Sequence, residues 1–377
     1  MLTRTWITIV LVGICACTER AEFIPDDTAR LSATRFLSEA TGNNGYARAL
    51  YPKKFQFPQD HGSHPEYRTE WWYFTGNLEG ARARHYGFEL AFFRYALKAG
   101  EAEGTSAWRT NQAWMAHFAL TDTQGNKFFA DERLSREAIG LAGNQRAPFR
   151  VWVEDWSATS VDTEFLPIRL KAGNENAKLD LTLMSSKPPI ANGDKGMDRK
   201  GPGTGNASYY YSMTRLQTVG FIQVGSSKEM VSGFTWMDRE WGTNTLNDDL
   251  EGWDWFSVQL SDNTEFMYYR LRHRDGSTSP YSGGSIVDAT GNYRSLSADA
   301  VLLTALDHWK SPNSARTYPV AWKLEVPDED LILEIEPYLL QQELNLTVRY
   351  WEGAIRVVGT RQLQPVDGSG YLELAGY

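Results

Sequence analysis

Cysteine is almost absent from this 377-residue chain: there are two, Cys15 and Cys17, both close to the start. If both belong to an export leader, as read below, a disulfide framework, cysteine nucleophiles and thiolate metal sites are excluded from the mature chain. Positive charge is scarce as well, with 38 Lys+Arg against 47 Asp+Glu and a net charge of −9. With no basic run to hold a phosphate backbone, nucleic acid is excluded as a partner. Only 6 histidines occur, and the one close pair, His61 and His64, precedes Pro65 without any zinc-protease helix pattern, so no metal and no cofactor are expected. No Gly-x-Ser-x-Gly elbow is present; Gly368-Ser369-Gly370 lacks that spacing and reads as a turn. The glycine-rich stretch 192–206 has no Gly-Lys-Ser/Thr after it, so it reads as a loop and not a phosphate cradle.

Beyond the leader, no apolar run reaches the ~20 residues of a membrane-spanning helix. The leader itself has Arg4 followed by a short apolar core over 6–14 and then Ile14-Cys15-Ala16-Cys17. This resembles a bacterial lipobox, which implies cleavage after Ala16 and lipidation of Cys17. Thr18, in place of Asp, points to an outer-membrane lipoprotein facing the periplasm. Residues 1–17 are thus read as signal peptide and anchor, and 18–50 as a polar leader with a short helix over 28–41.

What the chain has in excess is aromatic: 14 Trp, 18 Tyr and 17 Phe, or 13%. These residues favour strands and line apolar or sugar-binding cavities. Strand-like runs at 71–78, 86–94, 113–120, 150–156, 168–172, 179–184, 209–214 and 220–224 are separated by Gly, Asn and Asp turns. Runs at 253–260, 265–272, 320–325, 331–337, 344–349 and 353–358 follow in the second half. The pattern predicts an all-β protein. The halves also echo each other. Glu70-Trp71-Trp72-Tyr73-Phe74 with Phe92-Phe93-Arg94 parallels Glu251-Gly252-Trp253-Asp254-Trp255-Phe256 with Tyr268-Tyr269-Arg270. The region of Tyr211 likewise parallels that of Tyr350, which suggests a duplication joined near Gly242.

Ionisable chemistry is densest at Trp236-Met237-Asp238-Arg239-Glu240-Trp241-Gly242. In an extended strand, Trp236, Asp238 and Glu240 share one face, and the two carboxylates lie about 6–7 Å apart. Repulsion and burial then raise one pKa enough to keep a neutral acid. The same residues also suit ion pairs fixing a junction. Trp253, Asp254, Trp255, Tyr268, Tyr269 and Arg270 form either an aromatic wall with a carboxylate or ordinary packing. Glu89, Glu70 and His117 sit in apolar strands, where each is either a buried structural partner or a proton-handling group.

Together these runs, with Ala116-His117, Tyr209-Tyr210-Tyr211-Ser212, Tyr350-Trp351-Glu352-Gly353 and Gly370-Tyr371-Leu372-Glu373-Leu374, resemble the AttH/CrtC family from about residue 55 onward. That lipocalin-like group is named for carotenoid 1,2-hydratase, or hydroxyneurosporene synthase. The resemblance implies two lipocalin-like antiparallel β-barrels packed together, read here as domains at 51–242 and 243–377. It also implies an apolar ligand held in a barrel, with hydration of an isoprenoid C=C bond as the family's reaction. Such a reaction needs an acid to protonate the alkene, a base to activate water and aromatic faces around a carbocation. Arg239 stands where the hydratases have a histidine, and arginine cannot act as a general acid. The expectation is therefore a lipid-anchored periplasmic protein that binds an isoprenoid or lipid, with a membrane transporter as a further possible partner. A hydro-lyase is the alternative, with Asp238, Glu240 and His117 as its acid–base set, and a carbohydrate-handling protein is the second alternative. In each case Trp71, Trp72, Tyr73, Glu89, Trp236, Trp241, Trp253, Asp254, Trp255, Tyr268 and Arg270 are expected to contact the ligand.

Overall fold

The structure, a computed structural model, describes residues 31–32, 45–185, 187–243 and 249–377. The leader with Cys17 lies outside these residues, as does most of the helix expected over 28–41. Its one described part, β1 (Leu31–Ser32), is a short strand paired parallel to a strand of the second half.

The described chain is all-β, interrupted only by single-turn 3-10 segments. Its first sheet contains β2 (Thr69–Glu79), β3 (His85–Ala96), β4 (Gln112–Asp122), β5 (Lys127–Arg136), β6 (Ala142–Gln145), β7 (Arg150–Val153), β8 (Trp156–Ser160) and β9 (Ile168–Gly173). It continues with β10 (Ala177–Ser185), β11 (Ile190–Ala191), β12 (Met197–Arg199), β13 (Ala207–Val224) and β14 (Ser227–Gly242). The second sheet contains β15 (Leu250–Leu260), β16 (Glu265–His273), β17 (Gly283–Val287), β18 (Tyr293–Ser297) and β19 (Leu302–Lys310). After these come β20 (Thr317–Val326), β21 (Leu331–Pro337), β22 (Glu343–Asn345), β23 (Val348–Arg361) and β24 (Gln364–Ala375).

Both sheets wind in the same order. The main paths run β5-β4-β3-β2-β14-β13-β10-β9-β8-β7-β6 and β18-β17-β16-β15-β24-β23-β21-β20-β19. In each, a four-strand meander comes first, and its opening strand pairs with the last strand of that half, β2 with β14 and β15 with β24. The sequence echoes fall on equivalent strands: β2 with β15, β3 with β16, and β13 with β23.

The two expected barrels are not formed. The 11-stranded sheet curls nearly to closure, because its edge strands β18 and β19 are joined by the short turn Ala298–Ala300, but no ladder links them. The 13-stranded sheet stays open between β5 and β6. β6 has only 4 residues. β5 carries Lys127, Arg133 and Arg136 and buries no residue fully, which is how an edge strand resists further pairing.

Each curled sheet is filled by its own side chains. Trp72, Phe74, Phe88, Phe118, Trp156 and Trp241 belong to the first core, and Phe256, Tyr268, Trp322 and Trp351 to the second. A third apolar cluster joins the outer faces of the two sheets and includes Tyr73, Ala91, Tyr210, Trp236, Trp255 and Tyr371. Strands such as β2 and β15 therefore bury both faces, which explains why their sequences are apolar almost throughout.

Candidate active site

An aromatic cavity lies between the sheets. Equivalent strands of the two sheets line it. Trp71 and Tyr73 come from β2, Trp253 and Trp255 from β15, Phe93 from β3, and Tyr269 and Leu271 from β16. Tyr210 and Tyr350, from β13 and β23, complete the aromatic part. Its ionisable groups are Asp238 and Glu240 on β14, Glu352 on β23, Glu373 on β24, and Lys200.

Strand register places these carboxyl groups. Asp238 lies between Ser212 and Tyr73 on the neighbouring strands, and Glu240 between Tyr210 and Trp71. In the other sheet Glu373 lies between Glu352 and Trp255. Asp238 accepts hydrogen bonds from Tyr210 Oη at 2.7 Å, Ser212 Oγ at 2.5 Å and Trp236 Nε1 at 2.7 Å. Burial outweighs these three donors, and with the charge of Glu240 it raises the Asp238 pKa to about 7. Glu373 is pushed up to about 8 by burial against a hydrogen bond from Trp253, and the charges of Asp238 and Glu240 add to the shift. Glu352, bonded by Tyr73, is raised well above the usual carboxylate range by burial and by Glu89 and Glu373. Glu240 is raised by burial against the pull of Lys200, whose Nζ lies 3.3 Å away; Ser208 also donates to it.

His117 and Glu89 are fully buried beside the cavity without lining it. The His117 Nδ1 lies 2.6 Å from the hydroxyl of Tyr350, which donates at 3.4 Å to Glu89. Burial drops the His117 pKa to about 3, so the ring is neutral at physiological pH and supplies no imidazolium. Glu89 is raised well above its ordinary value by burial and by Glu373.

Of the residues expected to contact a ligand, Trp71, Tyr73, Trp253 and Trp255 line the cavity, and Trp236 supports Asp238. Five others lie elsewhere. Trp72 and Trp241 belong to the first core, where Trp241 stacks on His64 at 3.9 Å. Tyr268 lies in the second core. Asp254 ion-pairs with Arg270 at 2.6 Å and Arg272 at 3.2 Å. The reason is the two-residue period: Trp72 and Asp254 are one step out of phase with the cavity face. Arg239 obeys the same rule. Its guanidinium bonds Glu70 at 2.6 Å and Gly62 O at 2.5 Å and stacks over Trp72 at 3.8 Å, so it faces away from the carboxylates of the cavity.

Tyr269, of the aromatic wall read from the sequence, does line the cavity, whereas Glu352, Glu373, Tyr350, Tyr210 and Lys200 are site residues that no local pattern in the sequence marks as such. The signal available for Glu352 and Glu373 was only a single carboxylate interrupting an apolar strand, one on β23 and one on β24. His61 and His64, the only close histidine pair, bond Tyr211 and Asp60 rather than converge on each other. No cluster of three metal-ligating side chains occurs among the described residues.

The profile of AttH-like proteins matches residues 48–377. This chain belongs to the AttH-like family. The crystal structure of an AttH protein from Nitrosomonas europaea is 34% identical, superposes with a TM-score of 0.76, and spans 87% of this chain and 99% of its own. Dehydratase asqC of Emericella nidulans is 22% identical over 223 residues, 56% of this chain and 61% of that protein. Kievitone hydratase of Fusarium solani is 24% identical over 230 residues, 55% of this chain and 59% of that protein. The chain thus spans about three fifths of the length of these two curated relatives.

Proposed function

We propose that this AttH-family protein is a hydro-lyase that adds water to, or removes it from, a small, largely apolar molecule bound between its two sheets. The observation that carries this reading is the pairing across the cavity of Asp238 from one sheet with Glu373 from the other. Burial raises both carboxyl groups to near neutrality, to about 7 and about 8, where one can hold a proton for the substrate while the other accepts one. The named activities of its dehydratase and hydratase relatives favour the same class of reaction over passive binding.

In the hydration direction Glu373 gives its proton to one alkene carbon. The cation left on the other carbon sits among Trp71, Trp253 and Trp255. Asp238 takes a proton from water as the water oxygen bonds to that carbon, giving an alcohol. The proton gained by Asp238 and the one lost by Glu373 balance through solvent, and one water has been added. Dehydration is the reverse. Glu240, tied to Lys200 and Ser208, is a positioning group in this scheme.

An isoprenoid substrate and a lipid tether at Cys17 facing the periplasm are the finer parts of this reading. They rest on the motif resemblance and on the leader. Incubation with acyclic isoprenoid alkenes in heavy-oxygen water tests the reaction. The expected product is an alcohol carrying the heavy oxygen, lost in Asp238→Asn and in Glu373→Gln. An isoprenoid co-purified from the native host and never hydrated would sink the enzyme reading in favour of a carrier. Palmitate labelling that vanishes in Cys17→Ser checks the tether.

A further inference from the structure

Among the described residues, the cavity is acidic and has no cation to spare. Asp238, Glu240, Glu352 and Glu373 line it, and Glu89 lies behind Tyr350. Among the described residues the one lining cation is already engaged: Lys200 Nζ is 2.6 Å from Asp198 Oδ2 and 3.3 Å from Glu240 Oε1. Arg94 and Arg239, on lining strands of the first sheet, are committed to Glu70 on the far face. In the second sheet Arg270 and Arg272 are committed to Asp254 in the same way. The second carboxyl oxygens of Glu89 and Glu352 meet no protein donor among the described residues. Among the described residues an anion placed here finds no free positive charge, and its own charge opposes ionisation of the carboxyl groups it faces, so it enters only where those groups stay protonated. Indole and phenol π-clouds likewise attract cations and repel anions.

We propose that the cavity selects its ligand by charge: it takes uncharged apolar molecules, holds their cationic analogues more tightly, and excludes apolar carboxylates such as fatty acids. This rests on the reading of the cavity as the ligand site. It narrows the substrate to a neutral molecule that becomes positively charged along the reaction path.

Farnesol, farnesylamine and farnesoate share one skeleton and differ in charge. Each is titrated below its micelle concentration at neutral pH and followed by the fluorescence of the cavity tryptophans. Farnesylamine is expected to bind about tenfold more tightly than farnesol, and farnesoate about tenfold more weakly. The amine preference must survive high salt, which screens the acidic outer surface far more than a buried site. It must also shrink in Asp238→Asn/Glu240→Gln while farnesol still binds. If that double variant loses farnesol, Glu352→Gln, an isosteric change at a group without a cation partner, takes its place. Farnesoate binding as tightly as farnesol overturns the proposal, as does an amine preference that salt abolishes or that the substitutions leave unchanged. Failure of all three to bind removes the apolar-cavity reading and the proposal with it.

Discussion

Asp238 accepts hydrogen bonds from a tyrosine, a serine and a tryptophan and still keeps its proton up to about pH 7, because burial costs the anion more than these donors return. A bell-shaped profile of kcat/KM follows, rising through about pH 7 as Asp238 ionises and falling through about pH 8 as Glu373 does. Asp238→Asn should remove the rising limb and Glu373→Gln the falling one, each lowering the rate by about 10²–10⁴. Stability carries the same signature. A carboxyl raised in the folded state contributes stability fully below the unfolded value of about 3.9, and this is lost as pH climbs through the folded value. Asp238→Asn should therefore gain on the wild type by about 2–4 kcal/mol above neutral pH and by little near pH 4, read as urea midpoints. Arg239 behaves oppositely. Burial raises the Glu70 carboxyl, but Arg94 and Arg239 overcome that and hold it far below its ordinary range. Arg239→Met leaves Glu70 a buried anion with half its support, and a loss of about 3–5 kcal/mol is expected in denaturant unfolding.

At the scale of strands, what the sequence reveals depends on burial. β2, β3, β4, β15 and β16 bury both faces and read as continuous apolar runs. β5 is polar, and β19 is mixed, with Leu302, Leu303, Leu306 and Trp309 among polar residues; neither buries a residue fully, so neither carries a pattern that marks a core side. The runs 209–214 and 220–224 are one strand, β13, with a register shift between Met213 and Leu216. That irregularity lets Arg215 reach Glu265 of the second sheet at 2.5 Å. Where β3 meets β23 there is no room for a side chain: a Cβ on Gly87 would stand 2.3 Å from the Ala354 Cβ. Gly87→Ala should push the sheets apart, costing about 1–3 kcal/mol and weakening ligand binding in the same titration. Unchanged stability would mean that the two faces slide freely over each other.

Across the whole molecule, buried polar links bind the two sheets into one body. Tyr73 bonds Glu352, Thr121 Oγ1 donates to Gln342 at 2.6 Å, and Tyr269 Oη donates to Asp198 at 2.5 Å. Lys187 pairs with Glu265 at 2.7 Å. Separating the sheets would strand these groups and expose the shared apolar cluster. Calorimetry should therefore show a single cooperative transition, and neither 51–242 nor 243–377 expressed alone should give one. Two resolved transitions would make the sheets independent units.

The sequence by itself determined the all-β class, the echo between halves and the phase of Trp236, Asp238 and Glu240. These follow from local period and composition, which each strand carries within itself. Only the tertiary structure decided that the curled sheets fill their own interiors and leave the cavity between them. It alone brought Glu352 and Glu373 opposite Asp238, and it alone turned Trp72, Asp254 and Arg239 away. Those outcomes depend on which face of a doubly buried strand meets which partner. Period cannot report that choice, because both faces are apolar and the deciding contacts come from other strands, in the case of Tyr73 with Glu352 and Arg239 with Glu70 from far along the chain.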